Sequence, residues 1–568
     1  MKQIEKLFGD GVNYNKGDEA RRYNLLAVKL IAEIVKTFLG PRGMAKMFTD
    51  ILGETTITKH GATLLRKIDV EHPAAKVIIE ASNAVDNEVG DGTTSVVILA
   101  AALIKKAEEL LDIGISPGTI SDGYLEALKL SLTILQNLSE RKENSDKETM
   151  MALAYTCLIS KLLSATKNEA KMAARLVVNA VSYVANFSNN TIDIDNIKIE
   201  EKSGNPSDIH LIEGIAIDKS IDNDAMPRMI NNAKILLINE ELEAKRTKID
   251  AEICISLPSE IKSYSEKESQ MLKMKIQKII RSKANVVISS KGINLLAQYH
   301  LSKSGIISIR RVKENDMQWI EKSTGARIVE DIDAIFSSSK CLGYAQKVHE
   351  VNVGEDKMVL IEGCINPKSV TLMLRSNSKN TLDEYHRSFL RAIHVLKDFI
   401  AKPNVVVGGG SVEVAIAAGI RKKAHSVSGR KQIVLLKFSE ALEEIPLTIA
   451  RNAGLNEIDT LTKLRSKVMH LRNHQTSLYG IDAMERKVQD MLPRMILEPT
   501  VVKEQIIKSA VEIAKLLIRV DDVLMAKPAV YTHTHADGTQ HSHTGGDKKH
   551  GHYFDKLGRQ QRPIHHYY

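Results

Sequence analysis

Residues 90–94, Gly90-Asp91-Gly92-Thr93-Thr94, open a long apolar run and carry the strongest chemical signal in the chain. Glycines let a backbone come close to a ligand. The first N–H groups of a helix have no intrahelical partner and point toward anions. Thr93 and Thr94 add hydroxyls, and Asp91 adds a hard oxygen of the kind that suits Mg²⁺. Together they describe a phosphate and metal site; the same five residues would also serve as a plain glycine turn with threonine N-capping. A second loop, Gly40-Pro41-Arg42-Gly43, could set backbone amides and a guanidinium against phosphate, although it is also an ordinary turn. A third, Val407-Gly408-Gly409-Gly410, would allow very close backbone approach. No Gly-x-x-x-x-Gly-Lys-[Ser/Thr] occurs, so this is not a Walker-type loop. No nucleophile–base order stands out, and zinc-type spacing is absent outside the C-terminal tail.

The elements that must hold these loops fall into three regimes. Residues 1 to about 145 read as helical: Val28, Ile31, Val35 and Phe38 recur at helical spacing before Gly40-Pro41, and an apolar helix is expected from about Thr93 to Leu111. Between about 216 and 367 short β-type runs recur at 235–238, 286–288, 306–309, 327–329 and 358–361, separated by turns or helical segments. That alternation predicts an α/β unit with a largely parallel sheet. Within it, residues 265–282 form a charged amphipathic helix with Leu272, Ile276 and Ile279 on one face, a pattern that ordinarily packs on its own sheet. From about 403 to 526 the chain is helical again, so two helical segments flank an α/β middle and build a discontinuous base.

Composition excludes several classes. The 568 residues carry 79 Lys+Arg against 70 Asp+Glu, a formal +9, with 43% hydrophobic and 26% charged residues, which rules out a mostly disordered chain. Charges of both signs are interspersed and only one Trp is present, so no stacking platform for nucleic acid is visible, and neither nucleic acid nor membrane is expected as a partner. The longest apolar stretch, 96–104, runs into Lys105-Lys106, well short of the roughly 20 residues that span a bilayer. The N-terminal residues lack the apolar core of a signal peptide. Cys157, Cys254, Cys341 and Cys364 are scattered and read as reduced thiols, consistent with a cytoplasmic location. The tail, 527–568, holds eight of the 18 histidines; such a tract could bind transition metals, and the plainer expectation is a flexible polar segment.

The three loops, in this order and at these separations, resemble those of the group II chaperonins, the archaeal thermosome and eukaryotic TCP-1 ring complex. The stretches that carry the resemblance are 39–44 (LGPRGM), 69–76 (DVEHPAAK), 88–95 (EVGDGTTS), 406–410 (VVGGG), 441–446 (ALEEIP), 452–455 (NAGL), 479–482 (YGID), and 508–510 (KSA) through 519–522 (RVDD). They cover about residues 1 to 526, and the tail ending QQRP then HHYY is similar to that of some thermosome subunits. The resemblance implies a multidomain, mainly α fold with α/β parts. Residues 1–145 and 403–526 would be a helical, ATP-binding equatorial domain, and 146–215 with 368–402 a small α/β intermediate domain. Residues 216–367 would be an α/β apical domain with a lid protrusion at about 245–280. It further implies a double ring, ATP with Mg²⁺, and non-native protein as client. Carried over residue by residue, Leu39, Gly40 and Pro41 would line the phosphate site, and Asp91 would hold Mg²⁺. Gly92, Thr93 and Thr94 would meet the phosphates, and Gly409 and Gly410 would approach the nucleotide. Asp482 and Ala483 would lie near adenine, Glu498 at the ribose hydroxyls, and Lys161 would sense the γ-phosphate.

The departures are as informative as the matches. His60 stands before Gly61, and Arg391 before Ala392, where the family carries aspartates of the hydrolytic site. A guanidinium cannot accept a proton, and loss of a water-positioning group typically slows a reaction by about 10²–10⁴. Asp398 lies seven residues beyond Arg391, about 10.5 Å along a helix, too far to substitute easily. Phe38 replaces a threonine before the Leu-Gly-Pro loop, and Ser376-Asn377 replaces a Gly-Gly pair at the apical hinge. Exchange of two carboxylates for a cation and an imidazole shifts the site by about three to four charge units, depending on His60. The expectation is a subunit that keeps ATP binding, hydrolyses slowly or not at all, and works in a mixed ring with other chaperonin subunits. The alternatives are a fully hydrolysing chaperonin with compensating residues and a ring scaffold that folds no client.

Overall fold

The computed structural model describes residues 12–50, 53–68, 70–161, 166–243, 258–332, 341–354, 356–364, 369–469 and 479–526, with short segments at 530–534, 540–544, 553–554 and 560–561. Three hydrophobic cores organise them. The largest joins helices from both ends of the chain: Asp18–Lys36, Pro73–Val89, Thr93–Asp112 and Pro117–Leu138 with Ser411–Ala424, Arg430–Leu442 and Thr500–Ile518. Thr93–Asp112 is its axis. Val96 through Ala100 are all wholly buried, so the first half of this helix is apolar around its whole circumference, as a central helix must be. It packs on Thr500–Ile518, Asp18–Lys36 and Arg430–Leu442. The neighbouring helices start on well-formed caps. The His72 ring accepts from the Ala74 N–H with Pro73 at the first turn, and Ser116 accepts from Thr119 ahead of Pro117.

A second core joins the helices Lys147–Lys161, Lys167–Val184 and Lys379–Ala401 to a three-stranded sheet with Val370–Ser376 between Ile197–Ser203 and His210–Ile212. Neither Ser376 nor Asn377 has positive φ, so the hinge positions accept side chains without backbone strain.

The third core surrounds a seven-stranded sheet ordered Ile307–Ile309, Val286–Ser289, Met229–Ile238, Gly343–Val353, Asp356–Cys364 and Gly214–Ile217, with Ile328–Val329 also beside Met229–Ile238. All five β-type runs of the sequence are strands here. The sheet is mixed rather than largely parallel. The pairs on one side of Met229–Ile238 are parallel, and those from Gly343–Val353 onward are antiparallel. For Gly343–Val353 and Asp356–Cys364 the cause is local: Val353 pairs with Asp356 across a tight turn at Gly354, and strands joined so closely must run antiparallel. The amphipathic helix spans Pro258–Arg281, and Leu272, Ile276 and Ile279 are buried in the sheet's core. Of the lid segment expected at about 245–280, residues 245–257 lie outside the described residues.

In the histidine-rich tail, expected to be flexible, Val530–Thr534 and Gln540–Thr544 pair antiparallel with His533 opposite His541; most of the remaining tail lies outside the described residues. Among the described residues no helix is long and apolar enough to cross a membrane.

Candidate functional site

The loops converge on one cavity of about 450 Å³ between the first and second cores. Leu39, Gly40 and Pro41 line it beyond the end of Asp18–Lys36, a helix that stops three residues before Gly40 rather than at it. Asp91, Gly92 and Thr94 line it at the start of the central helix, and Lys161 does so at the last turn of Lys147–Lys161. Gly409, Asp482, Ala483 and Glu498 complete the predicted residues on the wall. Thr93 and Gly410 do not line it, and neither do His60 and Arg391.

The start of the central helix is shaped for an anion. Gly92 is its N-cap at φ +82°, and a Cβ there would come within 2.7 Å of Ile506. The hydroxyls of Thr93 and Thr94 are buried without a hydrogen-bond partner among the described residues. Such orphaned donors are rare unless a ligand supplies the partner. Across the cavity Gly409 has φ +71°, and a Cβ there would sit 2.9 Å from the Ile481 carbonyl oxygen, so only glycine brings this turn so close.

Asp91 lies 3.3 Å from the Lys161 ammonium. Burial pushes its carboxyl up, but Lys161, the Gly92 N–H and Arg391 together outweigh that and hold it below its usual range. An ionised carboxylate beside unpartnered threonine hydroxyls and free helix N–H groups fits a Mg²⁺–phosphate group.

At the opposite end, Lys503 donates to Glu413 and contacts Glu498, 2.8 Å from each. Burial alone would lower the Lys503 ammonium's pKa, but the two carboxylates reverse that and raise it; burial and Glu413 push Glu498 up. Asp482 acts on its own loop: it accepts from the Met484 and Glu485 N–H groups at 3.0 Å and from Gln489 at 2.6 Å. Arg42 does not face phosphate. Its guanidinium donates to the carbonyls of Ala483 and Met484 at 2.9 and 3.2 Å, because its planar fork matches two successive backbone acceptors and ties the two loops together.

The two substituted positions lie behind the wall. His60 is wholly buried, with Nε2 3.3 Å from Ser388 Oγ and 3.5 Å from Glu384 Oε1, and no partner for Nδ1. Burial first, then Arg391, Lys161, Arg387 and Lys59, push its pKa well below the usual value, so the ring is neutral at pH 7. The charge change at the site is therefore the smaller of the two expected. Arg391 pairs with Asp86 at 2.7 Å, and Arg66 binds the same carboxylate. Glu384 is the nearest acid to His60, and its oxygens are occupied by Thr58 Oγ1, the Lys59 N–H and Arg387. Asp398 does not line the cavity; burial and Glu88 push its carboxyl up to about 7.

Sequence reasoning missed Lys503 and Glu384. Lys503 had a signal: a lysine beside Val502 and Ile506 on a buried helix face calls for a buried counter-charge. Glu384 had none, because its partners Thr58 and Lys59 lie more than 300 positions away.

Residues 31–528 match the model of the TCP-1/cpn60 chaperonin family. The chain is 43% identical over 524 residues to thermosome subunit alpha of Archaeoglobus fulgidus, covering 92% of this chain and 94% of that one. It is 42% identical over 523 residues to the thermosome subunit of Pyrococcus horikoshii, and 42% identical over 524 residues to thermosome subunit beta of Archaeoglobus fulgidus, with the same coverage.

Proposed function

The chain belongs to the TCP-1/cpn60 chaperonin family, as a group II subunit, and we propose that it binds Mg²⁺–ATP in the cavity at Asp91 but hydrolyses it slowly or not at all. In this reading it assembles with other chaperonin subunits in a double ring, on the example of relatives that occur as alpha and beta subunits. Its clients are non-native proteins, its setting is the cytoplasm, and competent neighbours supply the turnover. Residues 1–145 with 403–526 serve as the equatorial domain, 146–215 with 368–402 as the intermediate domain, and 216–367 as the apical domain.

The observation that carries the reading is the state of the carboxylates. Three line the cavity: Asp91, Asp482 and Glu498. Asp482 is saturated by its own loop and Glu498 is held by Lys503. Asp91 is the one placed to serve the metal. That leaves none to orient a water, and behind the wall stand a neutral His60, an Arg391 paired to Asp86 and a Glu384 with filled acceptors. In this reading Gly92, Thr94 and Gly409 grip the nucleotide by backbone and hydroxyl, Leu39, Gly40 and Pro41 close the phosphate end, Lys161 faces the terminal phosphate, and Ala483 borders the base. Thr93 and Gly410 support these contacts from behind the wall. When bound, Mg²⁺ would supply charge neutralisation on the phosphates. Added positive charge strengthens ground-state binding, but uniform binding does not raise turnover.

The test is steady-state phosphate release by the purified protein, alone and mixed with a hydrolysing thermosome subunit, beside direct titration with ATP. Binding with little or no turnover alone is the expected result. Ordinary turnover by the isolated protein, or no ATP binding, overturns the reading.

A further inference from the structure

Lys59 follows the strand Thr55–Thr58 and donates its backbone N–H to Glu384 at 2.7 Å. It is 7% exposed, yet no hydrogen bond or ion pair among the described residues holds its ammonium. Burial and the charge of Lys161 both push its pKa down, against a weaker opposing pull from Glu384. Two residues on, Gly61 packs so tightly that a Cβ would meet the unpartnered Thr94 hydroxyl at 2.9 Å. The loop bearing Lys59 thus seals the Asp91 end of the cavity from behind, although Lys59 does not itself line the wall.

Cations outnumber carboxylates in this corner, and Asp86 serves both Arg66 and Arg391. Arg387 binds Glu384, Arg391 binds Asp86, and Lys161 binds Asp91; His60 is neutral. Among the described residues of this corner, Lys59 is the cation without an ion pair of its own. A lysine side chain so largely withdrawn from water without a counter-charge of its own costs stability, and an apolar residue would avoid the penalty. If Asp91 turns to a metal ion, Lys161 also loses its partner, and two neighbouring ammoniums then face a terminal phosphate that carries the matching negative charge. The flexible four-carbon lysine stem lets Lys59 change rotamer toward Lys161, whose charge it already feels.

We propose that Lys59 is a ligand of the nucleotide's terminal phosphate, acting with Lys161, and that it sets a preference for nucleoside triphosphate over diphosphate. This rests on the nucleotide reading above and adds a residue that reading does not contain.

The experiment uses the full chain and calorimetric titration with Mg²⁺–AMP-PNP and Mg²⁺–ADP, beside thermal melts with and without each. Lys59→Met is expected to weaken AMP-PNP about tenfold, the worth of one charge-assisted hydrogen bond, and to leave ADP within about twofold. The same change raises the nucleotide-free melting temperature, because an unpaired buried charge is gone, and Lys59→Arg restores the preference for AMP-PNP. Lys59→Gln gives the same comparison if the methionine variant does not fold. Equal weakening of both nucleotides, unchanged affinity for both, or a lower nucleotide-free melting temperature with an unchanged preference overturns the assignment and leaves the nucleotide reading standing. Failure of the wild-type chain to bind either nucleotide overturns both.

Discussion

At the Glu498 end of the cavity a buried lysine stands between two carboxylates, 2.8 Å from each. At the Asp91 end another buried lysine, Lys59, has no partner, and its neighbours are Lys161 and a neutral His60. Lys503 and Lys59 are both largely withdrawn from solvent, at 5% and 7% exposure, so burial disfavours the charged form of each. The difference lies in compensation. The first lysine is satisfied by the fold and serves its stability; the second is left for something the fold does not contain. Burial and charge alone do not separate a structural ion from a binding one. The separation comes from counting partners.

The largest effect should come from returning the two replaced acids. His60→Asp with Arg391→Asp takes about three positive charges from the Asp91 end and restores groups able to orient water. Turnover, read as steady-state phosphate release, should rise by about 10² or more. Affinity for AMP-PNP should fall at the same time, because the excess cation that favours the ground state is gone. The double change also breaks the Arg391–Asp86 pair and leaves Asp86 to Arg66, so a melt must confirm that the fold is kept. A folded, nucleotide-binding double variant with no gain in turnover would show that this end is not where hydrolysis was lost, and attention would move to Phe38 on the cavity wall.

Breaking the compensated end should act on stability. Lys503→Met leaves Glu413 and Glu498 buried together without their shared cation, a loss of about 3–5 kcal/mol, visible as a lower urea midpoint. Adding Glu413→Gln should return much of it, since one uncompensated carboxylate is then removed. A penalty below about 1 kcal/mol would mean that water already screens the triad, and the contrast between the two ends would lose its basis.

Much of the frame around this contrast was legible in the sequence, although neither lysine was, and the rest was hidden for identifiable reasons. The phosphate loops were visible because Gly90 to Thr94 and Gly408 to Gly410 are contiguous and their types imply close backbone approach. The five β-type runs were visible because Val and Ile cluster in short segments. The mixed strand direction was not: the hairpin at Gly354 sets one antiparallel pair that the alternation reads as parallel. Arg42 was misassigned because its acceptors are backbone carbonyls more than 400 positions away, which no side-chain type announces. The neutrality of His60 depends first on its complete burial and then on Arg391, Lys161 and Arg387 gathering around it, and only the fold brings both about.

The smallest effect sharpens the comparison by supplying an uncompensated charge outside the cavity. Asp398, on the helix Lys379–Ala401, has a buried Oδ2 without a partner, and burial together with Glu88 outweighs Lys397 and Lys402 to raise its pKa to about 7. In the unfolded chain it titrates near its ordinary 3.8. Between about pH 4 and pH 7 the folded protein therefore keeps a proton that the unfolded chain has released, and stability falls as pH rises through that window. Above about pH 7 the carboxylate is charged in both states and the whole penalty is present. Asp398→Asn removes it, so the variant should gain about 1–3 kcal/mol at pH 8, after discounting for partial exposure, and roughly a third of that at pH 5. Urea midpoints at the two pH values decide it. Nucleotide affinity should not move, because Asp398 does not line the cavity. If Asp398→Asn and Lys59→Met both stabilise the empty protein and only the second weakens binding of the triphosphate, an unpaired charge marks a ligand only where it adjoins the cavity.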